Sequence, residues 1–368
     1  MGVDRGTVEG VALMAAKAST WKPDRKAEVE AALRHSPTRI EAARALKVSI
    51  PSLDHACRIF NLSPVDLLGR GEEPVIEPPP APDVPIAELV ADRKRRFARK
   101  RTHEVARSLI PVSIGGTRPI GILHFGDPHL DDDGTDLALV EAHGDLVRET
   151  EGLYAASVGD ATNNWVGRLA HLYGQQGTSA AEAWRLAEWW ITEVVGRKKW
   201  LYLVGGNHDA WSGSGDPLKW IAGQLGAFYQ DSEVRLALRF PGERVVRVNC
   251  RHDFAGRSQY NPAHGPMKAL FFGVRDHLAI AGHTHESAYG VLKDPDTGIT
   301  MHAVRVASYK VYDRYAREKG LRDQNLGPAC VTVIDPSLPP THPDLIKLFW
   351  DPGEGAEFLT WKRKRRAA

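Results

Sequence analysis

Hydrophobic positions along this chain gather into short unbroken runs, each ending in a turn of polar residues and glycine. Ile120–Phe125, Leu153–Val158, Leu201–Val204 and Leu278–Ala281 are such runs. Apolar stretches of this length between turn signals predict strands. Val245–Cys250 reads as a further strand. Ala180–Val195 carries apolar residues at helical spacing and predicts an amphipathic helix, with Trp184, Trp189 and Trp190 as core anchors rather than base-stacking platforms. Nearer the start, residues 22–62 predict three short helices. Asp24 precedes Arg25–Leu33, Thr38 stands as N-cap before Arg39–Leu46, and a break at Val48-Ser49 leads into Ile50–Ile59. The small residues Ala42 and Ala43 let these helices approach closely, with Leu46, Val48, Leu53 and Ile59 as candidate core.

The turns that end the strands hold the chemistry. Asp127-Pro-His129 follows the first run, Gly159-Asp160 the second and Gly206-Asn207-His208-Asp209 the third. His252 follows Val245–Cys250, and Gly282-His283-Thr284-His285 follows Leu278–Ala281. Carboxylate, imidazole and amide oxygen suit manganese, iron(II), zinc or magnesium, whereas no well-placed thiolate argues for a structural zinc. Chelating side chains at successive strand ends are expected to meet on one edge of a sheet. A lone Asp-x-His means little; these motifs in order, each trailing a strand, predict a site for two divalent ions. For the isolated His, His264 in Ala263-His264-Gly265 is the alternative to His252. His124, His171, His277 and His302 stand alone and receive no role.

As a set, these motifs resemble the calcineurin-like metallophosphoesterase superfamily over residues 120–290. The resemblance implies an α/β fold, a four-layer α-β-β-α sandwich. It implies a first metal on Asp127, His129 and His285, a second on Asn207, His252 and His283, and Asp160 bridging the two. A hydroxide shared by the ions would attack phosphorus, and His208 would protonate the leaving oxygen, its ring oriented by Asp209. Asn163 stands where the family often has Asp or Asn, three residues after the bridging carboxylate. Mn2+ is the favoured metal. The segment around Gly206–Asp209 is similar to the DNA repair nuclease branch typified by the nuclease subunit of the bacterial SbcCD complex, although no segment here matches a docking site for a coiled-coil ATPase.

Composition adds bounds and appendages. With 368 residues, 42% of them hydrophobic, the chain can bury a large core and a smaller satellite. Cys57, Cys250 and Cys330 follow no recurring spacing, which points to a reducing cytoplasm, bacterial or of a phage-infected cell. Charged residues break up the opening stretch, no secretion signal is read there, and no run approaches the roughly 20 apolar residues of a membrane span. The expected organisation is a helical domain over 1–70, a Pro-rich acidic spacer and basic segment over 71–111, a catalytic domain over 112–352 and a basic tail over 353–368. The helices of 22–62 resemble a helix-turn-helix DNA-binding unit and are similar to those on phosphoesterases of temperate-phage genomes. Arg93–Arg101 holds seven cations, and Lys362–Arg366 repeats the pattern; both suit phosphate backbones, and both also suit a solvated helix face.

The substrate expected from these parts is DNA, cut at its phosphodiesters by a nuclease tethered through its N-terminal unit. Arg257 and Tyr260, with Asn163, are the candidate substrate contacts, and Arg305, Lys310, Tyr312 and Arg314 are further cleft candidates. The alternative is a phosphatase or phosphodiesterase for phosphoproteins, nucleotides or other small phosphoesters. A third reading, a DNA-binding regulator with an idle core, conflicts with the intact His208 and ligand set. A homodimer and other protein partners stay open, and no membrane partner is expected.

Overall fold

A computed structural model describes residues 21–71, 79, 83–165, 167–210, 215–312, 314–318, 320 and 325–367. The stretch searched for a secretion signal, most of the Pro-rich spacer and the side chain of Arg314 lie outside the described residues. The chain divides into two compact units, Met1–Asp92 and Arg93–Ala368.

The first unit has helices α1 (Lys26–Arg34), α2 (Arg39–Ala45), α3 (Ile50–Phe60) and the single turn α4 (Pro64–Leu67). Thr38 caps α2 by accepting from the Glu41 N–H, and Ser49 caps α3 by accepting from the Ser52 N–H. Leu53, Ala56, Cys57 and Phe60 recur at helical spacing on α3 and meet Val29, Leu33, Ala42 and Ala43 in a closed core. Lys47, with φ of 55°, makes the sharp reversal between α2 and α3. Ile59, expected in this core, is 51% exposed. Phe60 takes its place because it continues the Leu53, Ala56, Cys57 face, which Ile59 does not.

The second unit is an α/β sandwich of two six-stranded sheets. The strands are β1 (Ile110–Ser113), β2 (Ile120–Phe125), β3 (Leu153–Ser157), β4 (Trp200–Gly205), β5 (Tyr229–Asp231), β6 (Glu233–Phe240), β7 (Arg244–Arg251), β8 (Leu278–Ala281), β9 (Ala288–Lys293), β10 (Thr300–Arg305), β11 (Ala329–Ile334) and β12 (Ile346–Phe349). One sheet runs β12-β11-β2-β3-β4-β5 and the other β1-β6-β7-β8-β10-β9. β2, β3, β4 and β5 are parallel neighbours, as are β7, β8 and β10. The helices of this unit begin with α5 (Ile86–Arg107), which starts before the division. They continue with α6 (Leu137–Glu149), α7 (Ala180–Trp189), α8 (Pro217–Leu225), α9 (His264–Phe272), the short α10 (Arg314–Glu318) and α11 (Pro352–Ala367).

Three apolar clusters fill the gaps between four layers. Ile120 and Ile122 on β2, Ala156 on β3 and Tyr202 and Val204 on β4 face Leu236, Val248 and Ile280 of the opposite sheet. The alternate residues Leu123, Phe125, Ala155 and Leu203 face α6, α7, α8 and α11. The period of two that sends neighbours to opposite faces thus buries both faces, which is why these strands are uninterrupted apolar runs. On the outer face of the other sheet, Ala279, Ala281, Met301 and Ala303 pack on Leu270 of α9. The helix expected over Ala180–Val195 is α-helical to Trp189 and continues as a π turn, Trp190–Val194. Trp190 is fully buried, with Trp184 and Trp189 packed against the same core.

The segment expected as a basic tail is instead the helix α11, whose Ala356 and Leu359 enter the core. Two of its cations are used internally, while Lys364 and Arg365 are exposed. Lys362 pairs with Asp335 at 2.6 Å, and Arg363 donates to the Pro119 carbonyl at 2.7 Å and to Glu151 at 2.6 Å. The apolar residues spaced among those cations turn one helix face inward, which a charge count alone does not reveal. In contrast, α5 has no buried residue, and Arg93–Arg101 is exposed along it. Among the described residues no helix is long and apolar enough to cross a membrane.

Candidate metal centre

Every motif lies just beyond the carboxyl end of a strand, but the strands belong to two sheets. β2, β3 and β4 deliver Asp127, His129, Asp160, Asn207 and His208 from one sheet, while β7 and β8 deliver His252, His283 and His285 from the other. The expectation of a single sheet edge is therefore corrected: the residues meet across the mouth of the sandwich. The turns are tight. His129, Asp160, His283 and His285 all have positive φ, between 41° and 72°. Non-glycine residues seldom adopt that conformation, and it concentrates where surrounding structure over-determines a site. Gly206 lies so close to the Asp160 carboxylate and backbone N that a Cβ there would overlap them. Gly282 is similarly tight against Asp127 and Val158.

Two triads result, Asp127 with His129 and His285, and Asp160 with His252 and His283; within each, the ligand atoms lie within 4.8 Å of one another. In the first, His129 Nε2 is 3.1 Å from His285 Nε2, and His285 Nε2 is 3.6 Å from Asp127 Oδ2. In the second, His252 Nε2 is 3.1 Å from both Asp160 Oδ2 and His283 Nδ1, and 2.8 Å from Asn207 Oδ1. The other nitrogen of His252 donates to the Val158 carbonyl at 3.0 Å, which aims Nε2 into the cluster. His264, the alternative, is in neither triad and begins α9.

These residues fit divalent ions. Imidazole nitrogens face one another at hydrogen-bond distance in both triads, and Asp127 Oδ1 is buried without a hydrogen-bond partner. Facing nitrogens repel unless a proton or a cation lies between them, and an orphaned buried carboxylate oxygen is costly. Electrostatics agree. Burial pushes the Asp127 carboxyl up to about 6, offset by His252. Burial would also raise Asp160, but the adjoining His252 ring overrides it and holds the carboxyl well below its ordinary value. Burial would lower His252, yet the Asp160 charge and hydrogen bond raise it to about 10. His129 is held far below its ordinary value by burial and by His285, and His283 is lowered by burial and by His252. Two carboxylates thus lean on a protonated imidazole where cations would replace the proton.

His208 stands beside the triads, with Nε2 4.0 Å from Asp160 Oδ2 and its ring 5.3 Å from that of His129. Asp209 does not orient this ring. Its carboxylate accepts from the backbone N–H groups of Gly206 at 2.7 Å and of Asp160 and Ala161 at 3.0 Å each. The group facing His208 Nδ1 is the backbone carbonyl of Asn163. Asn163 in turn is fully buried, with Nδ2 donated to Asp132 at 2.8 Å, so its side chain is a support of the site and not a substrate contact.

The cleft over the triads encloses about 1250 Å³ and is walled by Trp165, Leu169, Arg257, Ser258, Gln259 and Arg317, among others. Arg257 is on that wall as expected. Tyr260 is 95% exposed and is not among the lining residues. Arg305 borders the cleft, but its guanidinium is spent on Asp253 and on the Pro262 and Gly282 carbonyls, so it braces the loops rather than clamping a ligand. Lys310 lines the cleft while paired with Asp132 at 2.8 Å, and Tyr312 is exposed. The part of Trp165 in this wall was not read from the sequence; it lies two residues after Asn163, a spacing with no motif to flag it.

No family model matches this chain, and no curated protein matches it. Among solved structures it is similar to the NAD nucleotidase (NadN) of Haemophilus influenzae, at 10% identity and a TM-score of 0.33, over 63% of this chain and 49% of that one. The chain thus spans about half of that enzyme's length. A likeness at that score carries no argument, and the two triads stand on their own geometry.

Proposed function

We propose that this chain is a metal-dependent phosphoesterase whose substrate is a phosphodiester of DNA. The reading is carried by one observation: two carboxylate–imidazole triads side by side at the mouth of one cleft, with His208 next to the Asp160 carboxylate. Two divalent ions, Mn2+ by ligand type, supply charge neutralisation and water activation when bound. Asp127, His129 and His285 would hold one, and Asn207, His252 and His283 the other, with Asp160 serving as a ligand of both.

The protein's own groups do the rest. Arg257 on the cleft wall fixes a phosphate oxygen. His208 gives its Nδ1–H to the Asn163 carbonyl, which leaves Nε2 directed at the site to carry a second proton. As water bonds to phosphorus and gives up one proton to solvent, the bond to the leaving oxygen breaks with its electron pair on that oxygen. The Nε2 proton of the imidazolium passes to it and leaves a neutral ring.

DNA as substrate is supported by the exposed cations of α5 and by the capped α2–turn–α3 pair, read as a helix-turn-helix. Asp54 on α3, which would repel phosphate, is paired with Arg39 at 3.6 Å. One observation favours small phosphoesters instead: Arg305 and Lys310 are already paired inside the protein, leaving Arg257 and Arg317 as the open cleft cations among the described residues. Plasmid DNA and bis(4-nitrophenyl) phosphate, each assayed with Mn2+ and with chelator, test both readings. The DNA reading expects cleavage of both, lost in His208→Ala for DNA, with a salt-sensitive loss on DNA alone when residues 1–92 are removed. Cleavage of the small ester only would select the alternative, and inactivity on both with Mn2+ bound would end the phosphoesterase reading.

A further inference from the structure

With Asp209 committed to backbone amides, the imidazole of His208 is oriented by other groups, and they form a closed circuit. His208 Nδ1 meets the Asn163 carbonyl. The Asn163 side chain donates to Asp132 Oδ2 at 2.8 Å. The same carboxylate oxygen takes Lys310 Nζ at 2.8 Å, with the Lys310 side chain only 4% exposed. Lys310 Nζ in turn lies 4.7 Å over the ring of Trp165. Trp165 closes the circuit: its ring stands perpendicular to that of His208, at 89° and 5.4 Å between centroids.

We propose that Trp165 and Lys310 are positioning residues for His208, holding its ring so that Nε2 faces the leaving oxygen. The inference rests on the phosphoesterase reading above. A histidine that transfers a proton works only when its ring is fixed in one tautomer and one plane. A carboxylate partner would do this through charge. Here the partner is a neutral carbonyl, which sets the tautomer but leaves the ring free to tilt about the hydrogen bond. The indole restricts that tilt by lying against the ring. The indole is itself held by the ammonium group over its face, an attraction worth about 0.5–2 kcal/mol in other proteins. Asp132 ties both ends together, since it anchors Lys310 and the residue that offers the carbonyl. Lys310 is thereby turned from a phosphate-binding cation into a brace: its charge is matched by Asp132 rather than presented to the substrate.

The consequence is selective for esters that need the proton. A leaving oxygen as acidic as 4-nitrophenol departs without protonation, whereas an alkoxide such as a deoxyribose oxygen does not. In Trp165→Leu and in Lys310→Met, turnover of a dinucleotide should fall about tenfold or more, a part of the 10²–10⁴ that positioned proton transfer supplies. Turnover of bis(4-nitrophenyl) phosphate should fall less than threefold. Trp165→Phe and Lys310→Arg should recover most of the loss. In a His208→Ala background, neither substitution should cost anything further.

Equal losses on both esters, or a loss that persists without His208, would overturn the proposal and mark Lys310 as a direct phosphate contact or a plain structural residue. A readout in metal-free protein is independent of turnover. NMR relaxation of the His208 ring should show a rigid ring in wild type and added ring motion in Trp165→Leu, with the Nδ1–H tautomer kept in both; unchanged ring motion would also overturn it. If Lys310→Met does not fold, the Trp165 variants decide. If wild type cleaves neither ester, the proposed function fails, and the ring motion still tests the circuit.

Discussion

The carboxylate of Asp209 gathers three backbone N–H groups from the loops that carry Asp160 and Asn207. It ties the ends of β3 and β4 together at the point where both deliver their ligands. Burial, with the charge of Asp160 nearby, pushes this carboxyl up to about 7. Removing it would strand three buried donors, each costing about 1–3 kcal/mol when unpaired. Asp209→Ala should therefore lower stability by about 3 kcal/mol or more, read by denaturant unfolding, and should reduce metal content along with it. A variant as stable as wild type that lost only turnover would instead return Asp209 to the role of ring orienter. The sequence spelled out Gly206-Asn207-His208-Asp209 but not which neighbour each side chain serves. The carbonyl of Asn163 had no signature at all, because every residue carries one.

At the level of elements, the apolar runs identified β2, β3, β4 and β8 because burial on both faces leaves few polar positions inside them, His124 and Ser157 being the buried exceptions. The N-terminal helices were legible for a different reason. Thr38 is a residue type that favours capping over helix interiors, Ser49 falls at the expected break, and the positions after each repeat at helical spacing. The C-terminal helix was misread because cations dominate its composition. Its Leu359 and Ala356 fill the gap beneath β2 and β11, and Arg363 satisfies the Pro119 carbonyl. Ending the chain at Asp351 should consequently expose that core and sharply reduce soluble yield and melting temperature. A truncated chain that melts like the full one would mean that the helix contributes no burial and is the dispensable basic tail after all.

Across the whole molecule, several imidazoles outside the two triads are buried. Burial lowers His124 to about 3 and His143, His277 and His302 each to about 4. His124 lies in the gap between the sheets, bonded to Thr332 at 2.9 Å. An unfolded chain takes up protons at an ordinary histidine value near 6.5, whereas these folded rings do not. The stability they contribute is complete above about pH 6.5 and is lost as pH falls toward 3–4. Each contributes a slope of about 1.4 kcal/mol per pH unit through that window. Unfolding measured from pH 7.5 to 5 in the presence of chelator should show this loss, and His124→Asn should flatten it by one group's share. The raised carboxyls of Asp127 and Asp209 slope the opposite way, but they are common to both proteins and cancel in the difference. An identical slope in both proteins would mean that His124 titrates normally in the folded state.

What the sequence settled was local: which runs are strands, which turns carry oxygen and nitrogen donors, and in what order they come. These follow from burial and from ligand chemistry, both written one residue at a time. Tertiary structure decided the assembly. It drew Asp127, Asp160 and Asn207 from one sheet and His252, His283 and His285 from the other, paired Lys362 and Arg363 inside the protein, and enclosed His208 among Asn163, Asp132, Lys310 and Trp165. Such partners are distant in sequence and are set by how two sheets pack face to face, which no stretch of chain specifies alone.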